Sequence, residues 1–399
     1  MTSEEHGTAT AEMAAPAAAA AILDEAHPQA AREPSAASAT AAAKLVPSPY
    51  LHHGPDRAYN PLADEMLELG QPAFDAFCRV GAGLDADPEL VRGLRERHWL
   101  VPAGTDLSRQ YRLKYVSLEA HTVCNQACYF CPVSVAPRED YFMPTALYER
   151  IVGELAAYRE TVEAVFMISY NEPTLDKRFV EQVRAIRAAG LPPAALTNGT
   201  GLSPDRVDAL AAMTEAGGGL RFLSINISTL DAEKYARDRG GDHLRLVLRN
   251  LDYAKDRPIA QQMDMVVLGT GDERHLSDFA EIESRFAGSR FNVKYFVVND
   301  RAGYLPNIGT SVAGRSRKLR GCDHVGSRPI QHLHINPHGL CILCCQDYSE
   351  SEVVGDLTRE TIEQVLTGPA LARMRRMIYG LEPAPANFIC HNCKFALTD

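Results

Sequence analysis

The sequence predicts an α/β protein assembled from parallel βαβ units, and three observations predict it. Between residues 111 and 300, six strand-like apolar runs alternate with segments whose apolar residues recur at helical spacing. The polar and glycine-containing motifs of that region follow the strand-like runs, at the edge where such sheets take ligands. Beyond residue 318 the pattern changes to a hairpin and a helix pair, which marks a small α+β extension.

The strand candidates are 112–118, 164–168, 194–197, 222–228, 263–268 and 292–298. Leu147, Ile151 and Leu155 line the first intervening helix; Phe179, Val183 and Ile186 line the second, which stops at Gly190. Ser203-Pro204-Asp205 opens the third, with a capping serine and a proline at the first helical position. Leu244, Leu248 and Leu251 mark the next helix, and 276–286 is the last. Ahead of this region, residues 57–110 carry Leu62, Met66 and Leu67, then Phe74 and Phe77, then Leu90, Val91 and Leu94. That spacing predicts short amphipathic helices, closed by the strand-like Trp99-Leu100-Val101. Residues 1–44 are dominated by Ala without an apolar stripe, and a disordered tail is expected there.

Charge narrows the function classes. The 399 residues carry a formal net charge of −10, with a pI near 5.7. This argues against nucleic-acid or membrane partners, because basic patches supply that affinity. With 46% hydrophobic residues the chain can bury a sizeable core. No apolar run approaches the roughly 20 residues of a transmembrane helix. Thr2, Ser3, Glu4 and Glu5 do not make the basic start of an export signal, so a cytoplasmic location is expected. Ten cysteines in such a chain read as ligands or free thiols. Cys78 is alone, three share one loop, and six lie between Cys322 and Cys393.

That loop is His121-Thr122-Val123-Cys124-Asn125-Gln126-Ala127-Cys128-Tyr129-Phe130-Cys131-Pro132, a C-x3-C-x2-C spacing just after the first strand. Thiolates favour soft metals and iron–sulfur clusters, and three ligands for a four-iron cube leave one iron open. A structural zinc loop or disulfide cysteines are the alternatives; zinc favours C-x2-C pairs with two more ligands. The second constellation runs from Cys322 through a hairpin (330–335 and 340–343) to Cys344 and Cys345, then a helix pair to Cys390-His391-Asn392-Cys393. Cys322, Cys344, Cys390 and Cys393 make a ligand set that suits a cluster or a zinc ion. Cys341 and Cys345 remain as spare thiols, either of them a candidate hydrogen-atom donor. His332 and His334 share one face of a strand, and Asp347 is a candidate base for removing a substrate proton.

The C-x3-C-x2-C loop, with an aromatic residue before its last cysteine, resembles the signature of the radical S-adenosylmethionine (SAM) superfamily. The resemblance implies a partial (βα)6 TIM-like barrel over 111–300 and a 4Fe–4S cluster on Cys124, Cys128 and Cys131. It further implies SAM on the fourth iron and Phe130 beside the adenine. Ser169-Tyr170-Asn171-Glu172-Pro173 falls where the family has Gly-Gly-Glu-Pro, which implies that Glu172 holds the SAM ammonium. Tyr170 and Asn171 stand in place of the glycines. Thr197-Asn198-Gly199 is similar to the family's Thr-Asn-Gly turn. Ser228 falls where a polar side chain meets the SAM ribose or carboxylate, and Leu268 where an apolar residue packs on adenine.

Residues 318–399 resemble the SPASM/twitch extension of these enzymes, implying an auxiliary 4Fe–4S cluster on Cys322, Cys344, Cys390 and Cys393. The longer SPASM pattern has further cysteines after its Cys-x2-Cys pair, so the one-cluster twitch form is expected. Residues 57–110 resemble the winged-helix segment that precedes the barrel in several peptide-modifying members; a helical cap over one barrel end is the alternative. The implied activity is reductive cleavage of SAM to a 5′-deoxyadenosyl radical, which takes a hydrogen atom from a peptide or natural-product substrate. The auxiliary cluster would assist oxidation or position the substrate, and flavodoxin or ferredoxin would supply electrons. The rival readings are a small-molecule dehydrogenase like those of aminoglycoside biosynthesis, an epimerase, and a zinc-binding interaction protein without enzymatic activity.

Overall fold

A computed structural model describes residues 44–305, 307–308 and 318–399. The expected tail, apart from Lys44, lies outside the described residues. The chain first pairs β1 (Leu45–Pro47) antiparallel with β5 (Leu100–Pro102). Between them come a three-stranded antiparallel sheet, β2 (His52–His53), β3 (Arg57–Asn60) and β4 (Glu65–Glu68), and helices α1 (Pro72–Gly81) and α2 (Pro88–Glu96). The helical reading of Leu62, Met66 and Leu67 is overturned here, because they belong to the β3–β4 hairpin. Leu67 is buried while Met66 is 44% exposed, the alternation of a half-buried strand. Three residues spaced four and one apart satisfy either period, so the local pattern could not choose. The two helices bury Phe74, Phe77 and Leu94 with Trp99, whose ring meets Phe77 edge-on at 5.7 Å.

All six strands of the βαβ region form, as β6 (Tyr115–Leu118), β7 (Ala164–Phe166), β8 (Pro193–Thr197), β9 (Leu220–Ile227), β10 (Ala260–Gly269) and β11 (Asn292–Val297), each parallel to its neighbour. Leu223, Ile225, Ile227, Met265 and Val267 are fully buried on one face and Ser224, Asp264 and Val266 are buried on the other, as strands covered on both faces require. The covering helices are α3 (Thr145–Leu155), α4 (Phe179–Ala188), α5 (Pro204–Glu215), α6 (Ala232–Arg239), α7 (Leu244–Ala254) and α8 (Glu273–Arg285). Ser203 occupies the N-cap of α5, yet its hydroxyl makes no capping bond; Pro204, which has no N–H to satisfy, starts the helix without it.

The C-terminal elements are β12 (Leu319–Cys322), the short α9 (Arg328–Gln331), β13 (His332–Ile335), β14 (Leu340–Ile342), β15 (Val353–Asp356), α10 (Ile362–Leu366), α11 (Pro369–Ile378) and β16 (Ala396–Thr398). Strand β13 pairs parallel with β6, from His332 opposite Tyr115 to Ile335 opposite Leu118, and antiparallel with β14. The hairpin therefore prolongs the parallel sheet, whose order is β11-β10-β9-β8-β7-β6-β13-β14-β15. The sheet is open, which is the architecture of a partial barrel. Among the described residues no helix is long and apolar enough to cross a membrane.

Candidate active site

The first cysteine loop leaves β6 at its C-terminal end and is pinned by three elements. Ala127 N donates to Arg239 O at 2.9 Å and Tyr129 N to Asp238 O at 3.0 Å, so the loop rests on the end of α6. That approach requires Gly240, which ends α6 at φ 67; an added Cβ there would stand 2.9 Å from Ala127. Glu172 N donates to Val123 O at 2.9 Å, joining the loop to the segment after β7. Burial pushes the Cys124 thiol up to about 12, with Glu172 and the thiols of Cys128 and Cys131 adding to the effect. Thiols held protonated must release protons when they take a metal or cluster.

Glu172 is buried, and its two oxygens are unequally used. Oε1 accepts Thr174 N at 3.1 Å, Thr197 Oγ1 at 2.6 Å and the Thr174 hydroxyl; among the described residues Oε2 accepts only Asn198 N, at 2.6 Å. Burial raises its pKa above the usual carboxylate value while these donors oppose the rise. Oε2 retains room for a further donor such as an ammonium. Asn198 donates to Asn125 Oδ1 at 2.9 Å, so the turn after β8 braces the stretch between Cys124 and Cys128.

Phe130 and Leu268 share a small apolar cluster with Cys128 and Val298. Ser228 is buried, with Arg239 Nε 3.5 Å from its hydroxyl. Arg239 itself escaped the sequence reading. It is 2% exposed, puts Nη1 3.8 Å from Cys128 Sγ and lies 5.1 Å over the Phe130 ring. Its Nη2 is buried without a hydrogen-bond partner among the described residues. Helix α6 buries a single apolar side chain, Tyr235, so no stripe announced it; Asp231 at its N-cap and Gly240 at its end were the available signals.

The second cysteine set converges on one place. Cys322, Cys344, Cys390 and Cys393 line one small cavity, together with His324 and Arg328. Burial raises all four thiols, Cys393 to about 12. Sulfur-directed donors are already in place: Gln346 N lies 3.4 Å from Cys344 Sγ, and the main-chain N–H groups of His324 and Arg328 point at Cys322. Among the described residues no three His, Cys, Asp or Glu side chains converge tightly enough for a single metal ion. Cys341 is buried in the main core, away from this cavity, and Cys345 does not line it.

Tyr170 and Asn171, which stand where the family has glycines, bridge the two sites. The Tyr170 N–H donates to Glu119 Oε1 at 2.9 Å, and its hydroxyl donates to the main-chain oxygen of Cys345. Its ring lies 5.8 Å from the Arg138 guanidinium and 5.7 Å from that of Arg301, and meets Tyr348 edge-on at 4.7 Å. Asn171 Nδ2 lies 3.3 Å from His121 Nε2. Asp347 is placed differently from a waiting base. Its Oδ1 accepts Ser351 N at 3.1 Å and Ser351 Oγ at 3.0 Å, and Oδ2 accepts Glu352 N at 2.8 Å. The carboxylate is spent on shaping the 347–352 turn, so geometry gives the proton-removing role no support.

Comparison with known proteins agrees with this geometry. Residues 118–282 match the family model of the radical SAM superfamily, and residues 322–394 match that of the SPASM iron–sulfur cluster-binding domain. The chain therefore carries a radical SAM domain and a C-terminal SPASM domain, the domains whose cofactors are SAM and 4Fe–4S clusters. A probable GTP 3′,8-cyclase of Pyrococcus abyssi is 30% identical over 41% of this chain and 50% of its own length. The tungsten-containing aldehyde ferredoxin oxidoreductase cofactor-modifying protein of Pyrococcus furiosus is 28% identical over 29% of this chain and 31% of its own. The chain thus spans half or less of these curated relatives. Among solved structures, Streptococcus suis SuiB bound to precursor peptide SuiA shares the fold over 88% of this chain and 93% of its own, with 14% identity and a TM-score of 0.51.

Proposed function

We propose that this enzyme reductively cleaves SAM and uses the resulting 5′-deoxyadenosyl radical to take a hydrogen atom from a peptide or natural-product substrate. The cluster and SAM supply the radical chemistry when bound; the chain supplies position and dryness. Cys124, Cys128 and Cys131 would hold one cluster, with Glu172 Oε2 receiving the SAM ammonium. Ser228 and the unpartnered Nη2 of Arg239 would receive its carboxylate or ribose, and Phe130 and Leu268 would cover the adenine. Cys322, Cys344, Cys390 and Cys393 would hold an auxiliary cluster that assists oxidation or positions the substrate.

The observation that carries this reading is the convergence of those four cysteines, 71 positions apart at their extremes, on one cavity, with Tyr170 tying the segment after β7 to Cys345 beside Cys344. Its test is iron and acid-labile sulfide per chain in an anaerobically purified Cys124→Ala/Cys128→Ala/Cys131→Ala variant. About four irons remaining fits one cluster on four thiolates. Zinc or nothing in their place would leave a one-cluster enzyme.

A peptide is the preferred substrate class. Supporting it are the fold shared with a protein solved with its precursor peptide, and the antiparallel β2–β3–β4 sheet, whose outer strands offer main-chain groups to an extended chain. Co-purification of a precursor peptide that depends on residues 57–110 is the expected result; tight aminocyclitol binding without them would overturn it. Flavodoxin or ferredoxin is the proposed electron source. The placement of Cys345 favours a second reading: it lies outside the cluster cavity and close to Arg301, which also neighbours Cys131. A thiol there suits return of a hydrogen atom in an epimerisation. Solvent deuterium in the product, lost in Cys345→Ala, would mark that reaction.

A further inference from the structure

Arg328 sits in the wall of the C-terminal cysteine cavity, and its company is unusual for a cation. Its Nη1 lies 2.8 Å from His332 Nδ1 and 3.4 Å from His334 Nε2. Its Nε lies 3.3 Å from His324 Nδ1, and Nη2 is 3.5 Å from His324 Nε2. The groups facing it are three imidazoles; among the described residues none is a carboxylate. The geometry fixes the direction of the bond to His332. His332 Nε2 lies 3.1 Å from Val325 O, a group that only accepts, so the ring's proton is on Nε2 and Nδ1 receives the guanidinium. The rings of His332 and His334 are stacked at 5.8 Å and 7°. His324 is flat against Phe395 at 3.8 Å and 1°. None of these rings cancels the charge of Arg328.

Arg328 is half-buried, and a partly desolvated cation without a counter-anion gains when a negative group arrives beside it. We infer that Arg328, oriented by His324, His332 and His334, is the positioning cation that raises the reduction potential of a cluster held by Cys322, Cys344, Cys390 and Cys393. The inference rests on the proposed ligand set. Four thiolates give the cluster a net negative charge that grows by one on reduction, so a fixed positive charge in the cavity wall favours the reduced state. In a chain with a net charge of −10, this local cation makes the C-terminal cavity an electron acceptor.

The test is a redox titration of the auxiliary cluster, followed by electron paramagnetic resonance in the full-length Cys124→Ala/Cys128→Ala/Cys131→Ala background. With Arg328→Gln added, the midpoint should shift to more negative potential; with Arg328→Lys it should stay near the parent. A full iron complement in Arg328→Gln with an unmoved midpoint would overturn the inference while leaving the ligand set standing. Iron lost in the Gln variant but kept in the Lys variant, with the Lys midpoint near the parent, would support it, since only Lys keeps the charge. Equal iron loss in both would overturn it in favour of a purely structural guanidinium. No iron in the parent would overturn the ligand set, and the inference with it.

Discussion

The Tyr170 hydroxyl donates to the main-chain oxygen of Cys345, 175 positions further along the chain. One bond thus ties the loop after β7, which carries Glu172, to the residue beside Cys344. The same tyrosine receives support from below, through its N–H on Glu119, and from both sides, through Arg138 and Arg301. A glycine at this position would keep the N–H bond to Glu119 but would offer neither the hydroxyl bond nor the ring contacts.

Removing the hydroxyl alone isolates that bond. Tyr170→Phe should lower stability by about 1 kcal/mol, the net worth of a typical hydrogen bond. Tyr170→Gly, which also removes the ring from between two guanidinium groups, should cost about 3–5 kcal/mol. Thermal unfolding of the anaerobic holoenzyme would measure both. Equal losses would mean that the ring, not the bond, does nothing to join the two regions.

The six cysteines of the C-terminal region separate into two groups with different expected behaviour. In the Cys124→Ala/Cys128→Ala/Cys131→Ala background, Cys344→Ala should abolish the remaining iron. Cys341→Ala should keep about four irons per chain, because its thiol lies in the main core and outside the cavity. Iron analysis after anaerobic reconstitution reads both. Loss of iron in Cys341→Ala would require a ligand set other than the one proposed.

The sequence was informative where local pattern carries the physics. Strands such as β9 and β10 carry apolar residues at alternate positions, Leu223, Ile225 and Ile227 in one and Met263, Met265 and Val267 in the other, so all six strands were legible. The cysteine spacings likewise led to the residues that line the cavity. Three features left no local trace. Helix α6 is polar apart from Tyr235, although it buries Arg239 beside Cys128. The pairing of β13 with β6 joins segments some two hundred positions apart, and no periodicity encodes a partner. The histidines were visible as alternating residues, but their role as acceptors for Arg328 depends on the short α9, which positions that side chain just before the strand.

Asp176 should govern part of the acid stability. Burial raises its pKa, but Arg178, through its side chain and main-chain N–H, and Gln182 outweigh that and hold it below the ordinary value of 3.8. A carboxyl depressed in the folded state adds stability above its unfolded pKa, and loses it as pH falls through the folded one. Asp176→Asn should therefore flatten the acid limb of the stability curve below about pH 4, measured by urea unfolding at stepped pH. An unchanged limb would assign acid unfolding to other carboxylates.

The ion pair of Glu119 and Arg138 offers the sharpest test of the bridge between the two cysteine regions. Arg138 Nη2 and Nη1 reach the two carboxylate oxygens at 2.6 and 2.9 Å, and Glu119 is 1% exposed. Breaking one side strands the other charge in the interior, which costs about 3–5 kcal/mol. Arg138→Met and Glu119→Gln should each be strongly destabilising, and the double variant should be less so than their sum, because it removes both stranded charges. The Tyr170 N–H discriminates the two single variants. Glu119→Gln can keep an acceptor for it through the amide oxygen, whereas the ionised Glu119 left by Arg138→Met must take its remaining stabilisation from that one donor. The Arg138→Met variant should accordingly be the more damaged of the two in chemical denaturation, and the reverse order would mean that Glu119 serves Tyr170 more than it serves Arg138.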